Sequence, residues 1–297
     1  MAVLPNRFPV KLDANNDYFK TYQHQLGVLR LTVESGANLG EEKEGKSFLK
    51  RLVHDVPDCF AKVRVSAEAE WQTARAKNTR YPAWNETRDV IISDYDQRIE
   101  VDVVDDDTAG RDDDIGLGAT TVRELLLSGG RQELGLSHRE QPTEGEVTVR
   151  GQFFKFVPDA SSFSGGGAAA GQVVGQLTVL VASAFGIKGK REELKPSVKV
   201  EWGAHTFRTA VKADAPGTDI ENPSFDQAFR VALEGGMVPG PPLRIALLDG
   251  EVERGAAEVA LEDVVSAEDM VLQKFFDVGD GATVRAGIWL RGIGPAE

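Results

Sequence analysis

The chain has 297 residues, a formal net charge of −13 and a hydrophobic content of 41%. That length and apolar content suit about two domains with cores of their own, and the negative balance excludes a protein held on nucleic acid, or constitutively on an anionic membrane, by diffuse positive charge. A single cysteine, Cys59, excludes a disulfide framework and points to a reducing, cytosolic setting; no apolar run reaches the roughly 18 residues of a spanning helix.

Residues 1–25 contain Pro5, Asn6, Arg7 and Pro9 where a signal-peptide core would be apolar. From Leu26 the chain reads as short runs rich in Val, Ile, Leu, Phe and Thr, separated by Gly, Pro, Asn or Asp clusters, the pattern of an antiparallel sandwich. Leu26 to Val33 is the first strand. A long loop to Pro57 follows, with acidic residues Glu41, Glu42, Glu44 and Asp55 and a basic and apolar insert of Lys46, Phe48, Leu49, Lys50, Arg51, Leu52 and Val53. The insert either wedges among lipid headgroups or packs on the sandwich.

Phe60 to Val65 is the next strand, with Lys62 and Arg64 two apart; Arg75 and Lys77 are two apart on what reads as the strand after it. Residues two apart share a face, so pairing in register would gather four cations on one side, each worth about 1 kcal/mol near an anionic leaflet. The alternative is scattered solvated bases.

Thr87 to Ile92 and Arg98 to Asp105 continue the sandwich, and the second of these runs into the densest charge in the chain. Asp105 to Asp114 holds six aspartates and one arginine. Carboxylates this close repel one another, and a hard divalent ion with oxygen ligands relieves the repulsion; calcium, which takes about 6 to 8 oxygens from flexible loops, suits it better than magnesium. A solvated acidic turn is the plain alternative. An EF-hand is excluded, because counting from Asp105 puts Ala109 at position 5 and Gly116 at position 12. Thr121 to Leu127, stopped by Gly129 and Gly130, reads as a short helix, and Glu146 to Phe154 as the closing strand.

Asp159 to Gly171 is too poor in large apolar residues to fold and reads as a flexible linker within residues 158–174. Beyond it the pattern repeats. Val174 to Val181 echoes Leu26 to Val33, Ser197 to Trp202 echoes Phe60 to Val65, Ala228 to Leu233 echoes Thr87 to Ile92, Pro242 to Asp249 echoes Arg98 to Asp105, and Ala282 to Leu290 echoes Glu146 to Phe154. Leu261 to Met270 stands where the first half has its helix.

Two segments of the first half are more specific. Asn78-Thr79-Arg80-Tyr81-Pro82-Ala83-Trp84-Asn85-Glu86 has the form Asn-x-x-x-Pro-x-Trp-Asn-Glu, and Asp105, Asp107 and Asp113 have the spacing i, i+2, i+8. Together they resemble a C2 domain. Val3 to Val10 resembles the end of the lipid-carrying SMP domain that precedes the tandem C2 domains of extended synaptotagmins and tricalbins, so the chain is similar to the C2 portion of that family. The resemblance implies an all-β fold of two eight-stranded antiparallel C2 β-sandwiches of type II topology, at residues 26–157 and 175–297.

It also implies a calcium site in the first domain formed by Asp58, Asp105, Asp107 and Asp113, with Asp58 entering through Pro57-Asp58-Cys59-Phe60, where Cys59 departs from the family's proline. A fifth carboxylate falls to Glu44, with Asp55 as its rival. In the second half Lys195 stands at the place of Asp58, and Asp249, Glu251 and Glu253 are followed by Arg254, so no calcium is expected there. The implied partners are anionic phospholipids, with phosphoinositides at Lys62, Arg64, Arg75 and Lys77. The implied role is peripheral docking or tethering at the cytoplasmic face of membranes, including contact sites between endoplasmic reticulum and plasma membrane. The alternative is a calcium-independent protein-interaction scaffold. Four scattered histidines and no paired nucleophile leave catalysis without a constellation.

Overall fold

The computed structural model describes residues 25–40, 56–66, 69–106, 113–164, 172–235 and 240–296. The segment resembling an SMP terminus, the basic and apolar insert, Glu44, Asp55 and Asp107 lie outside them. Two compact units are present, residues 24–155 and 156–294.

In the first unit the strands are β1 (Gly27–Ala37), β2 (Cys59–Ser66), β3 (Ala69–Gln72), β4 (Ala83–Ile92), β5 (Arg98–Asp105), β6 (Asp113–Thr121), β7 (Arg131–His138) and β8 (Gln141–Val157). One sheet runs β4-β1-β8-β7 and the other β3-β2-β5-β6, all antiparallel, with a single pairing of Leu117 to Ser137 between β6 and β7. Alternation decides what goes between them. Leu29, Leu31 and Val33 of β1, Val101 and Val103 of β5, and Val147, Val149 and Phe153 of β8 are fully buried in one cluster.

The helix α1 (Val122–Leu127) starts at a reciprocal cap between Thr121 and Glu124, buries Val122 and Leu125, and stops where Gly129 and Gly130 take φ of 80° and 77°. On the outer face, Arg30 forks onto both carboxylate oxygens of the nearly buried Asp89 at 2.9 and 3.0 Å.

The second unit repeats this plan with β9 (Val173–Phe185), β10 (Pro196–Trp202), β11 (His205–Arg208), β12 (Ser224–Glu234), β13 (Leu243–Asp249), β14 (Val252–Val259), β15 (Val271–Gly279) and β16 (Ala282–Ala296). Its sheets run β12-β9-β16-β15 and β11-β10-β13-β14. Among the described residues each unit therefore has eight strands in matching order.

Three sequence expectations need correction. The closing-strand echo is displaced by one residue: Leu29 faces Phe153 across β1 and β8, while Leu177 faces Leu290 across β9 and β16, so Phe153 corresponds to Leu290 and not to Trp289. A one-residue slip exchanges the two faces of a strand, and only the ladder shows which residue looks inward. Leu261 to Met270 is not one helix but α3 (Leu261–Val265) followed by a 3₁₀ turn, Glu268–Met270. Ala260 offers no side-chain cap, and Asp269 adopts a left-handed φ of 52°. Within the expected linker, α2 (Ser161–Ser164) is a helical turn that buries Phe163 in the second core, so one aromatic anchors that part; residues 165–171 lie outside the described ones.

Candidate cation site at one end of the first domain

Pairing of β2 with β5 sets Cys59 opposite Asp105, which brings Asp58, the residue before β2, to the last residue of β5. The Asp58 N–H donates to Asp105 Oδ1 at 2.8 Å, the Asp106 N–H to the Asp58 carbonyl at 3.0 Å, and the Asn78 N–H to Asp58 Oδ1 at 2.7 Å. Asn78 has a φ of 51°, a left-handed conformation that asparagine tolerates better than most residues. Asp113 opens β6 with its backbone opposite Asp105, so three segments of the acidic set converge at one end.

Of the five expected ligands, Asp58 and Asp105 are in contact through the backbone; Asp107 and Glu44 lie outside the described residues. Among the described residues no three His, Cys, Asp or Glu side chains are grouped to hold a metal ion. The carboxylates of Asp58 and Asp105 are hard oxygen donors, and one oxygen of each accepts from a backbone N–H, which fixes its direction. That donor chemistry fits calcium.

Cys59 is fully buried beside them and its thiol donates to the Thr79 carbonyl at 3.5 Å. Burial, assisted by the charges of Asp105 and Asp58, pushes the thiol up to about 11. It is a packing residue and not a nucleophile.

The Asn-x-x-x-Pro-x-Trp-Asn-Glu segment turns out to be scaffold. Asn85 has a φ of 52° where the β1–β4 register slips, and Glu86 Oε1 accepts from the Ala74 N–H at 2.5 Å. The second domain does the same with Asp226, φ 54°, and Gln227, whose Oε1 accepts from the Ala210 N–H at 2.6 Å. Both halves need this bulge and brace, with or without acidic loops.

Carboxylates stand among the four expected cations. Across β2 and β3, Lys62 faces Gln72 and Arg64 faces Glu70; Arg75 and Lys77 lie beyond β3 in the segment joined to Cys59 through Ala76. Arg64 is shared between Glu70 at 3.6 Å and Glu100 at 3.5 Å. Arg75 pairs with Asp106 at 2.8 Å, and both Arg75 and Lys62 lie over the Phe60 ring. A shallow groove of about 260 Å³ on this face is lined by Lys62 and Arg64 but also by Glu70, Glu100, Asp102 and Asp114. Sequence patterning showed the cations; the carboxylates arrive from β3, β5 and β6.

Burial, then the charge of Asp114, raises the Asp102 carboxyl above its usual range, with Lys62 and Arg64 opposing. A carboxyl with a raised folded-state pKa favours folding below its unfolded pKa and loses that advantage as pH rises through the folded value. Asp102→Asn is therefore expected to raise the unfolding midpoint of the first domain at pH 7 and to leave it unchanged near pH 3. Urea melts at the two pH values test this, and equal shifts at both would count against it.

The corresponding end of the second domain keeps the backbone links and changes the chemistry. Lys195 N–H donates to Asp249 Oδ1 at 2.8 Å, as Asp58 does to Asp105, and the Gly250 N–H donates to the Lys195 carbonyl at 2.9 Å, as Asp106 does to Asp58. The β13–β14 connection is a tight turn at Gly250 and Glu251, with Asp249 opposite Val252. Arg254 binds Asp249 Oδ2, and Arg208 binds Ser197 Oγ, the Gly250 carbonyl and Glu251. Burial alone would push the Asp249 carboxyl up, but Arg254 and the Lys195 N–H hold it below the usual range. That Arg254 from β14 and Arg208 from β11 both reach this turn was not legible until the strands were paired.

Comparison with known proteins agrees with this fold. The family model for the C2 domain matches residues 27–135 and 175–272. The structure is similar to the calcium-bound C2A and C2B domains of extended synaptotagmin 2, at 20% identity over 92% of this chain and 99% of that one, with a TM-score of 0.68. It is also similar to the SMP, C2A and C2B domains of extended synaptotagmin 2, at 20% identity over 94% of this chain and 60% of that one, with a TM-score of 0.67. Comparison with curated protein sequences finds no significant match.

Proposed function

Because the chain belongs to the C2 domain family, we propose that its first domain is a calcium-dependent phospholipid-binding module and that the chain docks or tethers to anionic membranes. The observation that supports this is the meeting of Asp58 and Asp105 from two strand ends, oriented by backbone N–H groups, at the base of a loop that carries Asp107 and leads to Asp113. Left to itself such a cup repels an anionic bilayer. Calcium, when bound, supplies positive charge at the tip and a shell that lipid phosphate oxygens complete. Asp58, Asp105, Asp107 and Asp113 hold that charge, and the fifth place falls to Glu44 or Asp55. No change of fold is required, so the switch is electrostatic.

A phosphoinositide at Lys62, Arg64, Arg75 and Lys77 must compete with Glu70, Glu100 and Asp106 for the two arginines. Headgroup charge therefore adds modestly to what the tip provides. In the second domain the cations Lys195, Arg208 and Arg254 are built in, so its contribution, to membrane or to partner protein, is independent of calcium. The likeness to extended synaptotagmin 2 supports a peripheral, non-catalytic role at the cytoplasmic face of membranes, with contact sites between endoplasmic reticulum and plasma membrane as the setting. The test is calorimetry with calcium on the 297-residue chain, joined to sedimentation with phosphatidylserine-containing vesicles with and without chelator. Binding heat and calcium-dependent sedimentation are expected; no heat, or vesicle binding indifferent to chelator, would sink the reading.

A further inference from the structure

The ion pair between Arg75 and Asp106 has no place among the expected ligands, yet it joins the segment after β3 to the first residue of the acidic loop. Asp106 is 15% exposed at its side chain and Arg75 54%, so the carboxylate is turned in and capped by a guanidinium that also lies over Phe60, 5.6 Å from the ring centroid. Asp106 donates its N–H to the Asp58 carbonyl, and Asp58 donates its own to Asp105. Arg75 thus closes a loop of contacts that runs through two of the expected ligands.

The second domain supplies an internal comparison. The Ala76 N–H donates to the Cys59 carbonyl at 2.8 Å and the Lys212 N–H to the Pro196 carbonyl at 2.9 Å, so Arg75 corresponds to Val211. The Asp58–Asp106 and Lys195–Gly250 links make Asp106 correspond to Gly250. Where the acidic loop contracts to a tight turn, both partners of the ion pair are gone together and the backbone links stay. The pair is therefore not needed to build this end of the sandwich.

We infer that Arg75 is a positioning residue for cation binding: it holds Asp106 out of the cup and fixes the end of β5 so that Asp105 is presented with Asp58. This rests on the calcium-binding reading proposed above. Holding Asp58, Asp105 and Asp106 in place ahead of time removes part of the ordering cost of binding, an effect of roughly three- to tenfold in affinity. The sign makes the inference testable, because removal of a positive charge close to a calcium site should by Coulomb attraction alone tighten binding.

Calorimetry on the full chain is expected to show Arg75→Gln binding calcium roughly fivefold more weakly than the parent, with an unchanged thermal midpoint, and Arg75→Lys recovering part of the loss. The double variant Arg75→Gln with Asp106→Asn has the parent's net charge; it is expected to stay weak, whereas a purely electrostatic role would return it to the parent's affinity. Calcium binding by Arg75→Gln equal to or tighter than the parent's, or a double variant that binds as the parent does, overturns the inference while the calcium site stands. A parent chain that gives no calcium heat overturns the functional reading and this inference together.

Discussion

Replacing Asp105 by asparagine is expected to weaken calcium binding by at least about tenfold and to remove calcium-dependent vesicle sedimentation, while the first domain keeps its thermal midpoint. The site depends on full negative charge; even at an effective dielectric constant of about 20, a unit charge pair at 4 Å interacts by about 4 kcal/mol before solvation is counted. Asparagine retains an Oδ1 that accepts the Asp58 N–H, so the 2.8 Å link at the strand ends survives the substitution. Loss of charge is thereby separated from loss of structure. Asp249→Asn is the control: its position is equivalent, but Arg254 and Lys195 surround it, and calcium binding by the chain should not change. Calorimetry in which Asp105→Asn binds calcium as well as the parent would remove Asp105 from the site.

Phe153→Ala is expected to destabilise the first domain by about 4 kcal/mol, the range for truncating a buried aromatic in a packed core. Phe153 is fully buried, faces Leu29 across the β1–β8 ladder and meets Tyr95 edge-on with ring centroids 5.3 Å apart. A Cβ on Gly27 would come within 2.8 Å of its ring, so glycine leaves the space that the ring fills. Collapse around the missing ring is limited because neighbouring ladders fix the backbone. The second domain has its own core, so a denaturant melt followed by fluorescence should show one transition moving and the other staying. A shift below about 1 kcal/mol would mean that the site relaxes and that the core is looser than its burial suggests.

Much of the fold can be read along the chain because it is written in short range. Alternation of apolar residues marks nearly every strand, Thr121 and Glu124 with Gly129 and Gly130 bound the helix of the first half, and repetition of the pattern after residue 172 announces a second unit of the same kind. The one-residue displacement at Phe153 and Leu290 was not legible, since Trp289 and Leu290 are both large and apolar and either one could look inward. Phe163 escaped for the opposite reason: a lone aromatic in a Gly, Ala and Ser segment has no periodicity to mark it.

For the candidate site the division follows the same physics. The sequence by itself determined which residues bring charge, namely the aspartates from Asp105 onward, Asp58, and the substitution of Lys195 in the second half, because charge is a property of residue type and spacing. Only the tertiary structure decided which charges meet. Pairing of β2 with β5 joins Asp58 to Asp105 across 47 positions of sequence, the neighbouring β3 and the segment after it commit Arg64 to two glutamates and Arg75 to Asp106, and pairing of β13 with β14 lets Arg254 occupy Asp249. Interactions between charges fall with distance in space, and distance in space between strand ends is set by sheet register, which no local pattern contains.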